Sequence, residues 1–214
     1  TPFLYFVPKA TLAAIILIAV VSLIDIKTLR KAWIYNKADA ASLAVTFVTV
    51  MTLGVETGIV AGAGLSIALY LWRTSRPHMA IVGRVGDTEH FRNVLRHEVQ
   101  THPNLLLVRV DESLYFANTA YLEDQLLARV ADQPEIEHLV LIMSAVNFID
   151  ASALETLEML AERLHDAGVT LHLAEVKGPA MDRLDRVNFK ETIGDGEIFL
   201  STHEAVQKLC STDG

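Results

Sequence analysis

The sequence predicts two parts of different fold class: α-helical transmembrane segments, then an α/β domain with a central mixed β-sheet and flanking helices. Two observations support this prediction. Residues 1–72 contain three long apolar runs, whereas residues 73–214 carry most of the acidic side chains. A strand–helix–strand pattern occupies residues 139–174 of the second part, and such a pattern favours parallel strands joined by a right-handed crossover.

The three apolar runs cover residues 10–24, 40–55 and 57–72. Each is a little shorter than the ~20 residues that cross a bilayer as a helix. Three buried helices of a soluble core would be the alternative. That alternative is disfavoured because the runs follow one another closely and contain almost no polar residues for a solvent-exposed face. The sequence therefore predicts about three membrane-spanning helices within residues 1–76.

Basic residues indicate the orientation of these helices. Four of them lie between the first and second runs, and two more follow the third run: Lys27, Arg30, Lys31, Lys37, Arg73 and Arg76. The turn between the second and third runs carries only Glu56. The positive-inside rule then places residues 27–37 and everything after residue 73 on the cytoplasmic side. We expect a multi-pass protein of the cell (inner) membrane with a cytoplasmic C-terminal domain.

Small residues recur every fourth position around the third run. Gly54, Gly58, Gly62 and Ser66 would lie on one face of a helix, where the backbone of another helix can approach closely. Glycine is also frequent in membrane helices generally. We expect this ridge to serve helix packing rather than ligand contact.

Residues 77–102 are predicted to link the two parts. Pro77 disfavours helical backbone in the residue before it, so the last apolar helix should end there. Residues 81–85 could form either a short strand or an extended connection. The α/β domain is expected to cover residues 103–214, which suffices for one hydrophobic core.

The first elements of this domain are predicted to be a hairpin and a helix. Residues 105–110 form an apolar strand, 111–113 a turn and 114–116 the start of a second strand. Asn118 is predicted to cap the helix that follows, and Pro134 to end it.

The centre of the domain is the strand–helix–strand pattern itself. The continuous apolar run 139–143 predicts a strand covered on both faces. Ser152 precedes Glu155 by three residues, the spacing of a capping box, so a helix should begin near Ser152. Residues 170–174 resume as a strand. A helix is predicted from 178, an edge strand at 198–200 and a last helix from 201.

The residues at this helix start resemble a known family. Asp150-Ala151-Ser152-Ala153 is similar to the Asp-Ser/Thr-Ser/Thr-Gly/Ala loop of STAS domains, the anti-sigma-factor-antagonist fold. Such domains also end the sulfate permease (SulP) family anion transporters, and residues 173–179 resemble that transporter version. Upstream, segments 8–15, 58–62 and 75–78 resemble the last membrane segments of that family and the exit into STAS. The resemblance covers almost the whole chain.

This resemblance implies a secondary active transporter of inorganic anions, of the sulfate type, with a regulatory and scaffolding cytoplasmic STAS domain. The anion would bind outside this chain, between half-helix N-termini in the rest of the membrane domain. Other implied partners are the lipid bilayer, a second copy in a homodimer and a cytosolic protein that binds the STAS domain. The alternative is a membrane-tethered STAS module that binds a protein partner without transport.

The resemblance also implies a regulatory loop at Asp150 and Ser152, because regulatory STAS domains are phosphorylated at the position of Ser152. A phosphate there would meet free backbone N–H groups at a helix N-terminus. Helix capping alone would also explain the spacing to Glu155, with Asp150 as an alternative cap. Ala151 departs from the hydroxyl residue usual at its position, and Ala153 replaces glycine.

Other classes of function find no support. The acidic second part argues against nucleic acid, which is bound by basic surfaces. The eight histidines show no metal-ligand spacing, and no nucleophile–base pair is recognisable. Cys210 is the only cysteine, which excludes an internal disulfide. We expect no enzyme activity, no cofactor and no catalytic or metal-binding residues.

Overall fold

Helices form the described part of the first unit. The computed structural model describes residues 9–22 and 26–211, and the chain divides into two units, Thr1–Tyr70 and Leu71–Gly214. The helices are α1 (Lys9–Ser22), α2 (Ile26–Tyr35), α3 (Lys37–Leu53) and α4 (Val55–Thr74). Helices α1, α3 and α4 coincide with the three apolar runs, of which residues 23 and 24 lie outside the described residues.

Helix α4 has the length and composition of a membrane span. Within the described residues it is the one helix that is long and apolar enough to cross a bilayer. Gly54 separates it from α3, with a φ of +94° that favours glycine, and its N–H caps the carbonyl of Val50. The predicted ridge is therefore interrupted at its first member, since Gly54 ends α3 instead of lying within α4.

A six-stranded mixed sheet forms the centre of the second unit. Its strands are β1 (Met79–Arg84), β2 (Phe91–Asn93), β3 (Leu105–Val110), β4 (His138–Ile142), β5 (Thr170–Ala174) and β6 (Ile198–Phe199). They lie in the order β2-β1-β3-β4-β5-β6. Strand β1 is antiparallel to both of its neighbours, and β3 to β6 are parallel. The predicted mixed sheet and the predicted parallel pair β4–β5 are thus confirmed.

Helices cover both faces of this sheet. They are α5 (Thr119–Asp132), α6 (Ala151–Asp166), α7 (Gly178–Arg186), α8 (Phe189–Thr192) and α9 (Thr202–Ser211). Side chains alternate between the faces along each strand. In β3, Leu106 and Val108 pack into the core beneath α5 and α6, whereas Leu105 and Leu107 belong to the core beneath α9. Burial on both faces explains why the parallel strands read as continuous apolar runs.

The residues predicted as a linker, 77–102, contribute two strands to the sheet. Ala80 and Val82 of β1 are buried, so this segment joins the core although its sequence is short and interrupted by glycine. Glycine is required at position 83 because a Cβ there would lie 2.6 Å from the carbonyl oxygen of Gln100. The edge position of β2 completes this side of the sheet.

The predicted hairpin between 105–110 and 114–116 is wrong. Strand β3 has β1 as its antiparallel neighbour, which occupies the edge that the hairpin would need. Leu114 instead makes a single parallel bridge to Ile149. Leu114 is buried while Phe116 is exposed, so the segment crosses the end of the sheet as a loop and does not continue it.

Candidate functional site

Asp150 caps helix α6 at the carboxyl end of the parallel strands. Its backbone is extended (φ −86°, ψ 177°), and its Oδ1 accepts a hydrogen bond from the N–H of Ala153 at 2.8 Å. This bond satisfies one of the N–H groups that a helix start leaves unpaired. A carboxylate also interacts favourably with the positive end of the helix dipole.

The same carboxylate joins a second segment of the chain. Its Oδ2 accepts a hydrogen bond from the N–H of Phe116 at 2.9 Å. Two backbone bonds run beside it: the Leu114 N–H donates to the carbonyl of Phe148 at 3.0 Å, and the Asp150 N–H donates to the carbonyl of Leu114 at 3.1 Å. The segment 114–116 is therefore fastened along the loop that leads into α6.

Ser152 is not the cap of α6, contrary to the capping-box prediction. It is the second residue of the helix and is exposed, and its carbonyl accepts a bond from the Thr156 hydroxyl at 2.9 Å. Asp and Ser are comparable N-caps, so the spacing to Glu155 could not separate them. The extended backbone of Asp150 and its bond to Phe116 decide the choice. The Ser152 hydroxyl therefore stands at the helix start without the capping role.

A groove lies beside this helix start. Its volume is about 210 Å³, and its lining includes Ile149, Asp150, Leu154, Arg183 and Val187. The Arg183 guanidinium stacks over the ring of Phe148 at 4.7 Å and donates to the carbonyl of Ile149 at 3.5 Å. A cation held over an aromatic ring beside a helix N-terminus can attract a negative group, and the apolar lining can hold an uncharged side chain.

Buried hydrogen bonds connect the same loop to the end of helix α4. Asn118 is fully buried; its Nδ2 donates to the carbonyls of Ser113 at 2.8 Å and of Thr74 at 3.4 Å. Its Oδ1 accepts from the N–H of Tyr115 at 3.0 Å. Tyr115 in turn shares a hydrogen bond with the hydroxyl of Thr74. Asn118 occupies the predicted cap position of α5, but its side chain bonds these groups and does not cap the helix.

Sequence reasoning identified Asp150 and Ser152, named Asn118 only as a helix cap, and missed Phe116 and Arg183. Only the fold brings these residues together, through hydrogen bonds between residues that are 34 to 44 apart in the chain. Asn118 carried the one usable signal, because an asparagine at a helix start is typical of a polar side chain that bonds backbone.

A second polar cluster lies at the same end of the sheet. Arg109 holds the carboxylate of Asp111 with two hydrogen bonds of 2.6 and 3.1 Å, and His78 Nδ1 lies 2.7 Å from it. Burial alone would raise the pKa of Asp111, but the hydrogen bonds from Arg109 and His78 outweigh it and hold that pKa below its ordinary value. The hydrogen bond to Asp111 also raises the pKa of Arg109. The positive charge of Arg109 and the negative charge of Asp111 therefore offset each other.

The small residues in the first unit lie where α3 and α4 pack. A Cβ at Gly58 would be 2.2 Å from the Val50 side chain, and one at Gly62 would be 2.0 Å from Thr46 Oγ1. The hydroxyls of Ser66 and Ser42 are 2.5 Å apart. Gly58, Gly62 and Ser66 thus share one face, whereas nothing lies within 4 Å of a Cβ at Gly54. Across residues 9–22 and 26–211, no group of three His, Cys, Asp or Glu side chains could hold a metal ion.

Comparison with known proteins gives two family matches, STAS domain over residues 96–205 and sulfate permease family over residues 1–46. The probable sulfate transporter 4.2 of Arabidopsis thaliana is 32% identical, over 97% of this chain and 32% of that protein. The high affinity sulfate transporter 2 of Stylosanthes hamata is 32% identical, over 96% of this chain and 33% of that protein. The chain therefore spans about a third of the length of these relatives.

Solved structures share the fold. The murine Solute Carrier 26 family member A9 anion transporter, in its inward-facing state, matches with a TM-score of 0.81 and 24% identity. That match covers 97% of this chain and 34% of that protein. A second structure, the overall structure of the same family member, matches with a TM-score of 0.77 and 19% identity over 86% of this chain and 32% of that one.

Proposed function

The chain belongs to the STAS domain family and carries sulfate permease family sequence ahead of that domain, and from this we propose that it acts within a secondary active transporter of inorganic anions. The order of the two matches is the observation that carries the proposal, and relatives named sulfate transporters align over nearly the whole chain, across both matched segments. Those relatives are named sulfate transporters, so sulfate is the first substrate to test.

In this proposal residues 1–76 supply about three membrane-spanning helices, with α4 crossing the bilayer. The basic residues between the first two runs and after the third orient the protein in the cell membrane, so that the STAS domain is cytoplasmic. The domain extends back from residue 103 to include β1 and β2, since both strands belong to its sheet. The anion binds in the rest of the membrane domain, which also packs against these helices.

The role of the STAS domain in this proposal is regulation and scaffolding through the Asp150 loop. The exposed hydroxyl of Ser152 stands at a helix start beside the Arg183 groove. Phosphate on Ser152 would add negative charge near the positive end of the helix, where it is stabilised. A cytosolic protein would read the changed surface, and two copies of the whole transporter would form a homodimer.

The small-residue face of α4 serves helix association. Gly58, Gly62 and Ser66 allow the close approach of α3, and the pair Ser42–Ser66 adds a hydrogen bond between the helices. Gly54 ends α3 and separates it from α4.

Uptake of radiolabelled sulfate tests the proposed function. The complete gene product is produced in cells that lack their own sulfate uptake, and the same cells without it serve as the control. We expect saturable uptake, reduced by unlabelled sulfate. Bicarbonate and dicarboxylates are tested as competitors. Preference for bicarbonate would change the substrate but not the class, whereas preference for a dicarboxylate would change the class from inorganic to organic anions.

Absence of transport for all of these anions, with the protein present in the membrane, would contradict the proposal. The alternative, a tethered regulatory module, predicts that outcome together with a cytosolic protein that co-purifies with the STAS domain. Mass measurement of the detergent-solubilised protein tests the homodimer separately.

A further inference from the structure

The sheet of the second unit opens between strands β1 and β3. Their antiparallel pairing ends at Ile81 and Val108, although β1 continues to Arg84. Beyond Ile81, β1 pairs with β2 on its other side, and Arg84 makes a single bridge to Gln100 instead of to β3. The two strands therefore part at the end where β3 begins.

A cavity of about 310 Å³ lies in this opening. Its apolar lining comes from β1, β2, β3 and α9 and includes Val82, Phe91, Leu105, Leu107 and Val206. The floor is buried, since Val82, Leu105 and Leu107 are each at most 5% exposed. Sites for small molecules have volumes of about 300 Å³ or more and combine a mostly apolar lining with a few polar groups. The cavity meets both conditions.

Five polar residues complete the lining: Arg84, Gln100, Thr101, His102 and Gln133. Arg84 is half-buried, and its Nε donates to the carbonyl of Thr88 at 2.8 Å. Within residues 9–22 and 26–211, its two terminal nitrogens make no hydrogen bond. A guanidinium with unused donors beside an apolar cavity is suited to hold a carboxylate.

The charge of the lining differs from that of the chain. Arg84 and His102 are its titratable residues, and no described carboxylate lines the cavity, whereas the chain has a net charge of −8. Glu98 and Asp132, the acidic residues closest to the lining in sequence, are exposed and not part of it. The lining therefore favours a negative group on the ligand.

Two comparisons narrow the chemistry further. A second cavity, of about 230 Å³ at the carboxyl end of β3, is lined by Glu89 and Glu175 as well as by Arg109, so its charges select neither sign. At the first cavity, Gln133 is the C-cap of α5, and the negative end of that helix dipole disfavours a second negative charge. A singly charged carboxylate therefore fits better than a phosphate.

We propose that the cavity between β1 and β3 binds a small amphipathic anion with an apolar chain and one carboxylate, the class of medium-chain fatty acids. The chain lies against Val82, Leu105 and Leu107, where burial removes apolar surface from water. The carboxylate meets Arg84 at the rim. The inference goes beyond the proposed transport and does not depend on it, because every lining residue belongs to the second unit.

Photolabelling of the complete protein in detergent tests this site. The probe is octanoate with a diazirine at the end of its chain, and mass spectrometry identifies the labelled peptides. Unlabelled octanoate, 1-octanol and octylamine serve as competitors, because they share the chain and differ in the head group. The variant Arg84→Gln removes the proposed contact. Its matched control is Arg92→Gln, an exposed position on β2 outside the cavity lining.

We expect saturable labelling of peptides that contain residues 81–84 and 100–107. Octanoate should compete, octylamine should not, and 1-octanol should require a higher concentration than octanoate. Arg84→Gln should raise the octanoate concentration for half-competition about tenfold, the size of one lost charge-assisted hydrogen bond, and Arg92→Gln should leave it unchanged.

Two results would overturn the inference. One is labelling that does not saturate and spreads over exposed apolar residues of the domain. The other is competition by 1-octanol or octylamine equal to that by octanoate. Both use the unaltered protein, so they decide the question even where Arg84→Gln does not fold. Neither involves anion uptake, and failure here leaves the proposed function standing.

Discussion

The carboxylate of Asp150 accepts the backbone N–H of Phe116, 34 residues earlier in the chain, at 2.9 Å. Its other oxygen accepts the N–H of Ala153, the bond that starts helix α6. One side chain thus closes the loop between β3 and α5 onto the loop between β4 and α6. The position that begins a helix also holds a neighbouring segment in place.

Asp150→Ala should therefore destabilise the domain more than a helix cap alone would. Losing a cap costs about 1 kcal/mol, and leaving the Phe116 N–H without its acceptor adds about 1 kcal/mol. Ser152→Ala, at an exposed position without the capping bond, should change the stability by less than about 0.5 kcal/mol. Urea unfolding of residues 71–214 measures both. Equal losses in the two variants would show that Ser152 shares the cap.

Replacing Ser152 by Glu tests the proposed switch. We expect Ser152→Glu to change anion uptake per transporter molecule, because it places charge at an exposed helix start beside Arg183. Ser152→Ala should leave uptake unchanged. Uptake is corrected for the amount of protein in the membrane, and Glu155→Gln, on the second turn of the same helix, is the control for a general change of charge. Identical uptake by all variants would remove the switch.

The second unit should fold without the membrane helices, provided that β1 is present. A fragment of residues 71–214 should be soluble and should unfold cooperatively, since its sheet and both cores are complete. A fragment of residues 103–214 lacks β1 and β2, which exposes the edge of β3 and the apolar side chains that Ala80 and Val82 cover. Such an open edge favours aggregation. Size-exclusion chromatography and thermal unfolding compare the two fragments, and a soluble 103–214 fragment of equal stability would contradict this.

Acid should weaken the domain through His172, which is 2% exposed. Its Nδ1 accepts the N–H of Glu197 at 3.0 Å, so the neutral ring carries its proton on Nε2, which lies 3.2 Å from His138 Nδ1. Burial, with a smaller contribution from His138, lowers the pKa of His172 to about 4. In the unfolded chain the same ring takes up its proton near pH 6.5.

The unfolded state consequently binds more protons than the folded state between pH 6.5 and 4. The free energy of unfolding should fall as the pH falls through this window, by up to about 1.4 kcal/mol per pH unit. His172→Gln keeps an acceptor for the Glu197 N–H but cannot titrate, so its pH dependence should be shallower by about one proton. The pKa of Asp111 is lowered from its ordinary value of 3.8, so its effect on the free energy of unfolding falls mainly below this window. Parallel pH profiles for the two proteins would contradict the role of His172.

Bulk at Gly62 should separate α3 from α4. Gly62→Leu places its side chain on Thr46, whereas Gly64→Leu on the same helix has nothing within 4 Å of its Cβ. We expect the first to reduce the yield of folded transporter and its uptake, and the second to leave both unchanged. The double variant Gly62→Ala with Thr46→Gly removes the side chain that a Cβ at position 62 would meet. Its yield and its uptake should therefore be higher than those of Gly62→Leu. Equal behaviour of the two leucine variants, measured by monodispersity in detergent, would show that close packing at Gly62 is not required.

The sequence determined those features that depend on local pattern. Apolar runs of nearly bilayer length marked α1, α3 and α4, and continuous apolar segments marked β3, β4 and β5. These patterns are reliable because burial demands apolar side chains whatever the partner is. The loop at Asp150 was recognisable from its resemblance to the STAS loop and because a helix start needs acceptors for its free N–H groups.

Only the tertiary structure decided which residues meet. Strand β1 comes from a segment whose pattern was too short to distinguish from a linker, and it displaced the predicted hairpin because it occupies the edge of β3. Asp150 rather than Ser152 became the cap because the Phe116 N–H, 34 residues away, supplies its second bond. Asn118 turned from its predicted cap role to Thr74 and Ser113 for the same physical reason. Buried polar groups choose their partners from whatever segments the fold brings within reach, and local sequence does not contain that information.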